Sequence, residues 1–187
     1  KDYRERSISW LHANLGYVLQ TPQLFSTTIK ENIRYGKLDA TDEEVIAAAK
    51  LANAHNFILE QENGYDTYIG EGGNKLSTGQ KQLISFARAV IANPRILVLD
   101  EATSSIDTEN EKTILEAMQT VLKGRTSLVV AHRLSTIVNA DKIVVLRNGV
   151  VVEEGTHREL LNAKGYYFEL YRNQFMQELE QKLIQDI

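Results

Sequence analysis

The stretch Arg95-Ile96-Leu97-Val98-Leu99-Asp100-Glu101 constrains the fold more than any other. Four apolar residues stand in a row between Pro94 and two carboxylates. Such a short unbroken run suits a strand buried on both faces of a parallel sheet. Thr126 to Ala131 is a second apolar, β-branched run, ending at His132, and Leu15 to Gln20 reads as a third short strand, stopped by Pro22. Helical spacing separates the runs. Leu83, Ile84, Ala87, Val90 and Ile91 follow Ser77–Gln80. Ile114, Met118 and Val121 line a helix that Thr108 and Glu111 cap and Gly124 ends. Strands and helices in alternation, with nearly all-apolar strands, predict an α/β fold: a mostly parallel sheet with covering helices.

Open α/β sheets hold ligands at the carboxyl ends of their strands. Asp100 would stand there as an oxygen ligand for Mg²⁺, directly or through water. Glu101 would be free to orient or deprotonate a nucleophile. The competing reading is a strand end with two solvated acids. His132 ends a neighbouring predicted strand, where an imidazole can hold a phosphate oxygen, or it is a structural histidine. Gln20 also ends a strand. Its amide can ligate a cation and donate to water, or it is a loop glutamine. Ser77-Thr78-Gly79-Gln80 opens a helix, whose N–H groups and dipole attract anions. The same four residues also spell a capping box. Asp107 is either a helix cap or a contact across an interface. The residues alone leave each pair open.

The rest of the chain bounds the class. Helical patterns begin at Thr27 and at Thr41, and Asn53–Leu59 reads as a further short helix, so residues 24–92 form a mostly helical block that interrupts the α/β alternation. Residues 61–75 read as loop. Asn148-Gly149 joins Lys142–Leu146 to Val150–Val152 as a β-hairpin. Phe168, Tyr171, Phe175, Leu179 and Leu183 form a stripe suited to docking on the domain or a partner. The expected division is 1–23 and 93–165 as core, 24–92 as helical subdomain and 166–187 as C-terminal helix. A net charge of −4 gives no support to nucleic-acid binding. With no cysteine, disulfides and Cys-ligated metals are excluded. No GxxxxGK[ST] phosphate loop occurs in the 187 residues; Gly70–Lys75 is glycine-rich, but its spacing is wrong and no strand precedes it.

In this order the pieces resemble the nucleotide-binding domain of an ATP-binding cassette (ABC) transporter. Leu76–Gln80, LSTGQ, resembles the signature motif LSGGQ, with Thr78 in place of the middle glycine. Ile96–Asp100 with Glu101 resembles the Walker B strand and its catalytic glutamate. Ser104–Asp107 resembles the D-loop, Gln20 the Q-loop glutamine and His132 the switch histidine. Gln20–Ile33 is similar to the Q-loop region of multidrug- and lipid-type exporters, and Tyr68–Gly73 to their X-loop.

The resemblance implies a P-loop NTPase-like fold with an inserted helical signature subdomain. It also implies ATP and Mg²⁺ as ligands. Asp100 and Gln20 would hold the metal, and Glu101, His132 and Gln20 would act in hydrolysis. Ser77, Thr78, Gly79 and Gln80 would meet the ATP of a second nucleotide-binding domain, with Asp107 signalling across that interface. The Glu71 loop and the Q-loop region would face the coupling helices of a membrane domain, at the cytoplasmic side of the cell membrane. The family's Walker A loop and adenine-stacking aromatic belong upstream of Gln20. The expectation is therefore a fragment that lacks the N-terminal part of the fold and is inactive alone. Two alternatives remain: a soluble ABC-type ATPase, and a non-catalytic interaction fragment.

Overall fold

The computed structural model describes residues 2–100, 108–131 and 137–185. They fall into two compact units divided after Val130.

The first unit is built on a three-stranded parallel sheet in the order β1 (Leu15–Val18), β2 (Ile96–Asp100), β3 (Thr126–Val130). Leu15 pairs with Ile96 and Val18 with Leu99; Ile96 pairs with Thr126 and Asp100 with Val130. Strand side chains alternate between faces. Val18, Leu97 and Leu99 point to one face and are buried. They join a core with Ile84, Phe86 and Ala87 of α5 (Thr78–Ala92) and Ile114, Ala117, Met118 and Val121 of α6 (Thr108–Leu122). Each Val, Leu, Ile, Met or Phe side chain so removed from water contributes about 1.5–3 kcal/mol, and each alanine less.

The opposite face departs from the sequence expectation. Leu15, Tyr17, Leu128 and Val130 are exposed, and Ile96 and Val98 only half-buried. The unbroken apolar run reads as two-sided burial, yet among the described residues helices cover one side.

The first unit's other helices are α1 (Ile8–Asn14), α2 (Ile29–Arg34), α3 (Asp42–Leu51) and α4 (His55–Leu59). Near the start of the chain Ile8 is 71% exposed and stays in water, while Trp10 is half-buried with the Arg6 guanidinium 4.7 Å from its ring. Residues 61–75 are not wholly irregular: Gly64–Asp66 and Glu71–Gly73 form single 3₁₀ turns. The turn after α2 meets α5 at Gly36, where a Cβ would lie 2.3 Å from the Arg88 carbonyl oxygen. Asn93, left-handed at φ 44°, ends α5, and Pro94 starts the run into β2.

Thr41 and Glu44 form a reciprocal capping box at the start of α3. The Lys37 ammonium at 2.6 Å, then the Thr41 N–H, hold the Glu44 carboxyl below its ordinary 4.5. The unfolded chain therefore takes up this proton first. The stability contributed by Glu44 is present above pH 4.5 and drains as pH falls through the depressed folded value. Glu44→Gln should flatten the acid side of the Tm–pH curve. An unchanged acid slope would place the loss elsewhere.

The second unit is a hairpin of β4 (Ile143–Arg147) and β5 (Val150–Gly155) with α7 (His157–Ala163) and α8 (Tyr166–Gln185). Asn148 and Gly149, at φ 51° and 78°, make the tight turn expected of Asn-Gly. Glu153 of β5 accepts the N–H groups of Tyr166 and Tyr167, at 2.7 and 2.8 Å, and so caps α8. Tyr167 is buried with Val145 and Leu160, and its hydroxyl lies 2.6 Å from His157 Nδ1. These contacts select the inward stripe. It runs through Tyr167 and Tyr171 rather than Phe168, which is half-buried, and Phe175 is 46% exposed. Among the described residues no helix is long and apolar enough to cross a membrane.

Candidate functional site

The parallel register sets the end of β1, two residues before Gln20, beside the end of β2. Val18 pairs with Leu99, so the chain leaves β1 toward Gln20 where β2 ends at Asp100. Asp100 shares its strand parity with Ile96 and Val98 on the open face and is half-buried; Gln20, two residues beyond β1, is exposed. Asp100 pairs with Val130, the last residue of β3, two residues before His132 in the chain. Glu101, Asp107 and His132 lie outside the described residues.

Ser77 to Gln80 form the start of α5. Ser77 Oγ accepts the Gln80 N–H at 3.2 Å, and the Ser77 N–H donates to Gln80 Oε1 at 3.0 Å. The capping reading therefore holds, and it occupies the Gln80 amide oxygen. Ser77 and Thr78 remain exposed at the helix start, and Gly79 is buried. Free N–H groups of a first helical turn attract anions, so the cap does not exclude a phosphate contact.

The donor set suits a hard cation. Mg²⁺ is held by one or two carboxylates with water and phosphate oxygens completing the shell, and the Asp100 carboxylate with the Gln20 amide oxygen is of that type. A surface depression of about 410 Å³ lined by Asn53, Glu116, Gln119, Thr120 and Lys123 involves none of the predicted residues.

Sequence reasoning missed one polar cluster. Asn32 is fully buried, and Arg88 of α5 hydrogen-bonds to it and to the Gln23 carbonyl. The available signal was an arginine lying within the apolar stripe of α5, four residues after Ile84.

A sequence model of ABC transporters matches residues 1–104. The chain belongs to the ABC transporter family, as a nucleotide-binding domain of P-loop NTPase-like α/β fold. It is 58% identical over 165 residues to the uncharacterized ABC transporter ATP-binding protein YfiC of Bacillus subtilis, covering 88% of this chain and 27% of that protein. Identity is also 58% to a putative multidrug export ATP-binding/permease protein of Staphylococcus aureus, over 86% of this chain and 28% of that protein. With multidrug resistance protein 1 of Entamoeba histolytica it is 52%, over 95% of this chain and 14% of that protein. A solved structure of a bacterial Atm1-family ABC exporter with ATP bound superposes with a TM-score of 0.80 at 47% identity, covering 88% of this chain and 29% of that one. The chain thus spans less than a third of the length of each of these proteins.

Proposed function

We propose that this chain is part of the ATP-hydrolysing module of an ABC exporter, which couples hydrolysis to movement of a substrate across a membrane. Names of the relatives, multidrug export and ATP-binding/permease proteins, support the reading at the level of class. The observation that supports it most is the β1–β2 register, in which Val18, two residues before Gln20, pairs with Leu99, the neighbour of Asp100.

Water attacks the γ-phosphate in line. Glu101 polarises that water as general base. Asp100 holds Mg²⁺, directly or through water, and Gln20 contributes its amide oxygen and senses the γ-phosphate. The metal, when bound, neutralises charge on the phosphate oxygens. His132 stabilises the charge that grows on the transferring group. Ser77, Thr78 and Gly79, with the helix start that Gln80 caps, face the ATP held by a second nucleotide-binding domain, and Asp107 reports across that interface. The Glu71 loop and residues 20–33 face the coupling helices of a membrane domain. The module therefore works at the cytoplasmic side of the cell membrane, with no nucleic-acid partner. Residues 1–23 and 93–165 serve as core, 24–92 as signature subdomain and 166–187 as C-terminal helix.

Two measurements test this. The intact polypeptide should hydrolyse Mg-ATP, and Asp100→Asn should cut kcat by about 100-fold; wild-type turnover in that variant would remove Asp100 from the site. The isolated 187 residues hold no GxxxxGK[ST] loop to cradle the β- and γ-phosphates. Calorimetric titration of that piece should show no micromolar Mg-ATP binding, and a micromolar isotherm would refute the expectation of an inactive fragment.

A further inference from the structure

Arg88 is a half-buried cation on the inner side of α5, and burial pulls its guanidinium below its ordinary value. Among the described residues it faces carbonyl and amide oxygens and two rings, not a carboxylate. Its Nε donates to the Asn32 carbonyl at 2.9 Å, Nη1 to the Gln23 carbonyl at 2.9 Å and Nη2 to Asn32 Oδ1 at 3.0 Å. The Phe25 and Tyr35 ring centres lie 5.4 and 5.5 Å from it. Asn32 is fully buried and every polar atom of its side chain is used. Oδ1 also accepts the Phe25 N–H at 2.9 Å, while Nδ2 donates to the carbonyls of Phe25 and Thr28 at 3.1 and 3.0 Å.

The segment that begins three residues after Gln20 is thus tied to the middle of α5. From there the ties continue. Ile29 N–H donates to the Thr67 carbonyl and Ile69 N–H to the Thr27 carbonyl, both at 3.1 Å, and Thr28 bridges Tyr68. Lys75 N–H returns to the Ile69 carbonyl at 3.4 Å, closing the Glu71 loop two residues before the Ser77 cap. One hydrogen-bonded circuit therefore joins the Gln20 segment, the Glu71 loop and α5, with Asn32 and Arg88 at its junction.

We infer that Asn32 and Arg88 are positioning residues, which hold the Gln20 segment and the Glu71 loop in fixed register with α5. Two physical points favour this over simple core filling. A buried charge without a counter-charge is costly, and an apolar side chain of like volume would fill the space at less cost. The planar five-donor fork is matched to several acceptors at once, which a lysine ammonium cannot span. The catalytic part of the inference rests on the ATPase reading above.

The test compares Arg88→Lys, Arg88→Met and Asn32→Asp in the intact polypeptide. Asn32→Asp keeps the acceptor for Arg88 and the Phe25 N–H and gives Arg88 a counter-charge, but it lacks the two donors to the 25–28 turn; a thermal melt of each variant gives its folded fraction. A misplacement of this kind should lower kcat about 10-fold with KM for ATP within about 2-fold. Amide exchange should rise about 10-fold at residues 23–28 and 67–70 together, while α3 stays unchanged. Wild-type kcat in Arg88→Met or Asn32→Asp overturns the inference, as does a loss that only tracks the unfolded fraction. If the wild-type protein does not hydrolyse ATP, the functional reading fails and exchange alone decides: a rise confined to 23–28 sinks the circuit, and a joint rise upholds it.

Discussion

Glu101→Gln is expected to lower steady-state ATP hydrolysis by the intact polypeptide by about 100-fold or more, the range typical of losing a general base. ATP-driven association of two nucleotide-binding domains should survive. The argument is one of charge and shape. Glutamine keeps the volume and an acceptor oxygen but cannot take a proton from the attacking water, and it leaves the Asp100 carboxylate and the Gln20 amide unchanged. Binding therefore persists while turnover stops. Turnover measured by phosphate release, with Mg-ATP-dependent dimer formation followed by size-exclusion chromatography, separates the two. Near-normal turnover in Glu101→Gln would assign the base elsewhere. Loss of both hydrolysis and dimer formation would mean that the carboxylate holds nucleotide and does not serve the chemistry.

Phe86→Ala should be the most damaging of the simple core truncations on α5. Phe86 is 2% exposed and belongs to the cluster shared with β2 and α6. Truncating a buried phenylalanine costs about 3–5 kcal/mol, the transfer loss plus the cavity left behind. In a domain of this size that corresponds to a fall in Tm of roughly 10 °C. Phe86→Leu, which keeps most of the volume, should recover the greater part. A Tm within about 2 °C of wild type for Phe86→Ala would mean that the site collapses around the void. The loss has a functional side, because α5 carries Ser77 at its start and Arg88 along its length.

How much of this could be read from the residues follows from the kind of signal each leaves. The strand at 96–100, the turn at Asn148-Gly149 and the boundaries of α5 are written locally, as an apolar run, a left-handed dipeptide and a cap followed later by Asn-Pro. The open face of the sheet was not legible. An unbroken apolar run looks the same whether one face or both are covered, and Tyr17 and Leu128 reveal their exposure only in three dimensions. The C-terminal stripe was legible at Tyr171, but its buried first member, Tyr167 in place of Phe168, was not, because Glu153 and His157, which hold Tyr167, are tertiary contacts. At the candidate site, Asp100 was legible as a strand end, whereas Gln20, read as the end of a strand, lies two residues beyond β1. The Asn32–Arg88 junction was not legible, since it joins polar side chains 56 positions apart.

The pinned start of α8 has a practical use. Glu153 and the His157–Tyr167 contact fix the helix to its hairpin at the first turn, and Met176 projects into water ten residues after Tyr166. The 187 residues contain no native thiol. A Met176→Cys variant would therefore give these residues a single attachment point for a spin label or fluorophore, on a stalk whose base does not swivel. Such a probe would let spectroscopy report on the order of this helix in solution.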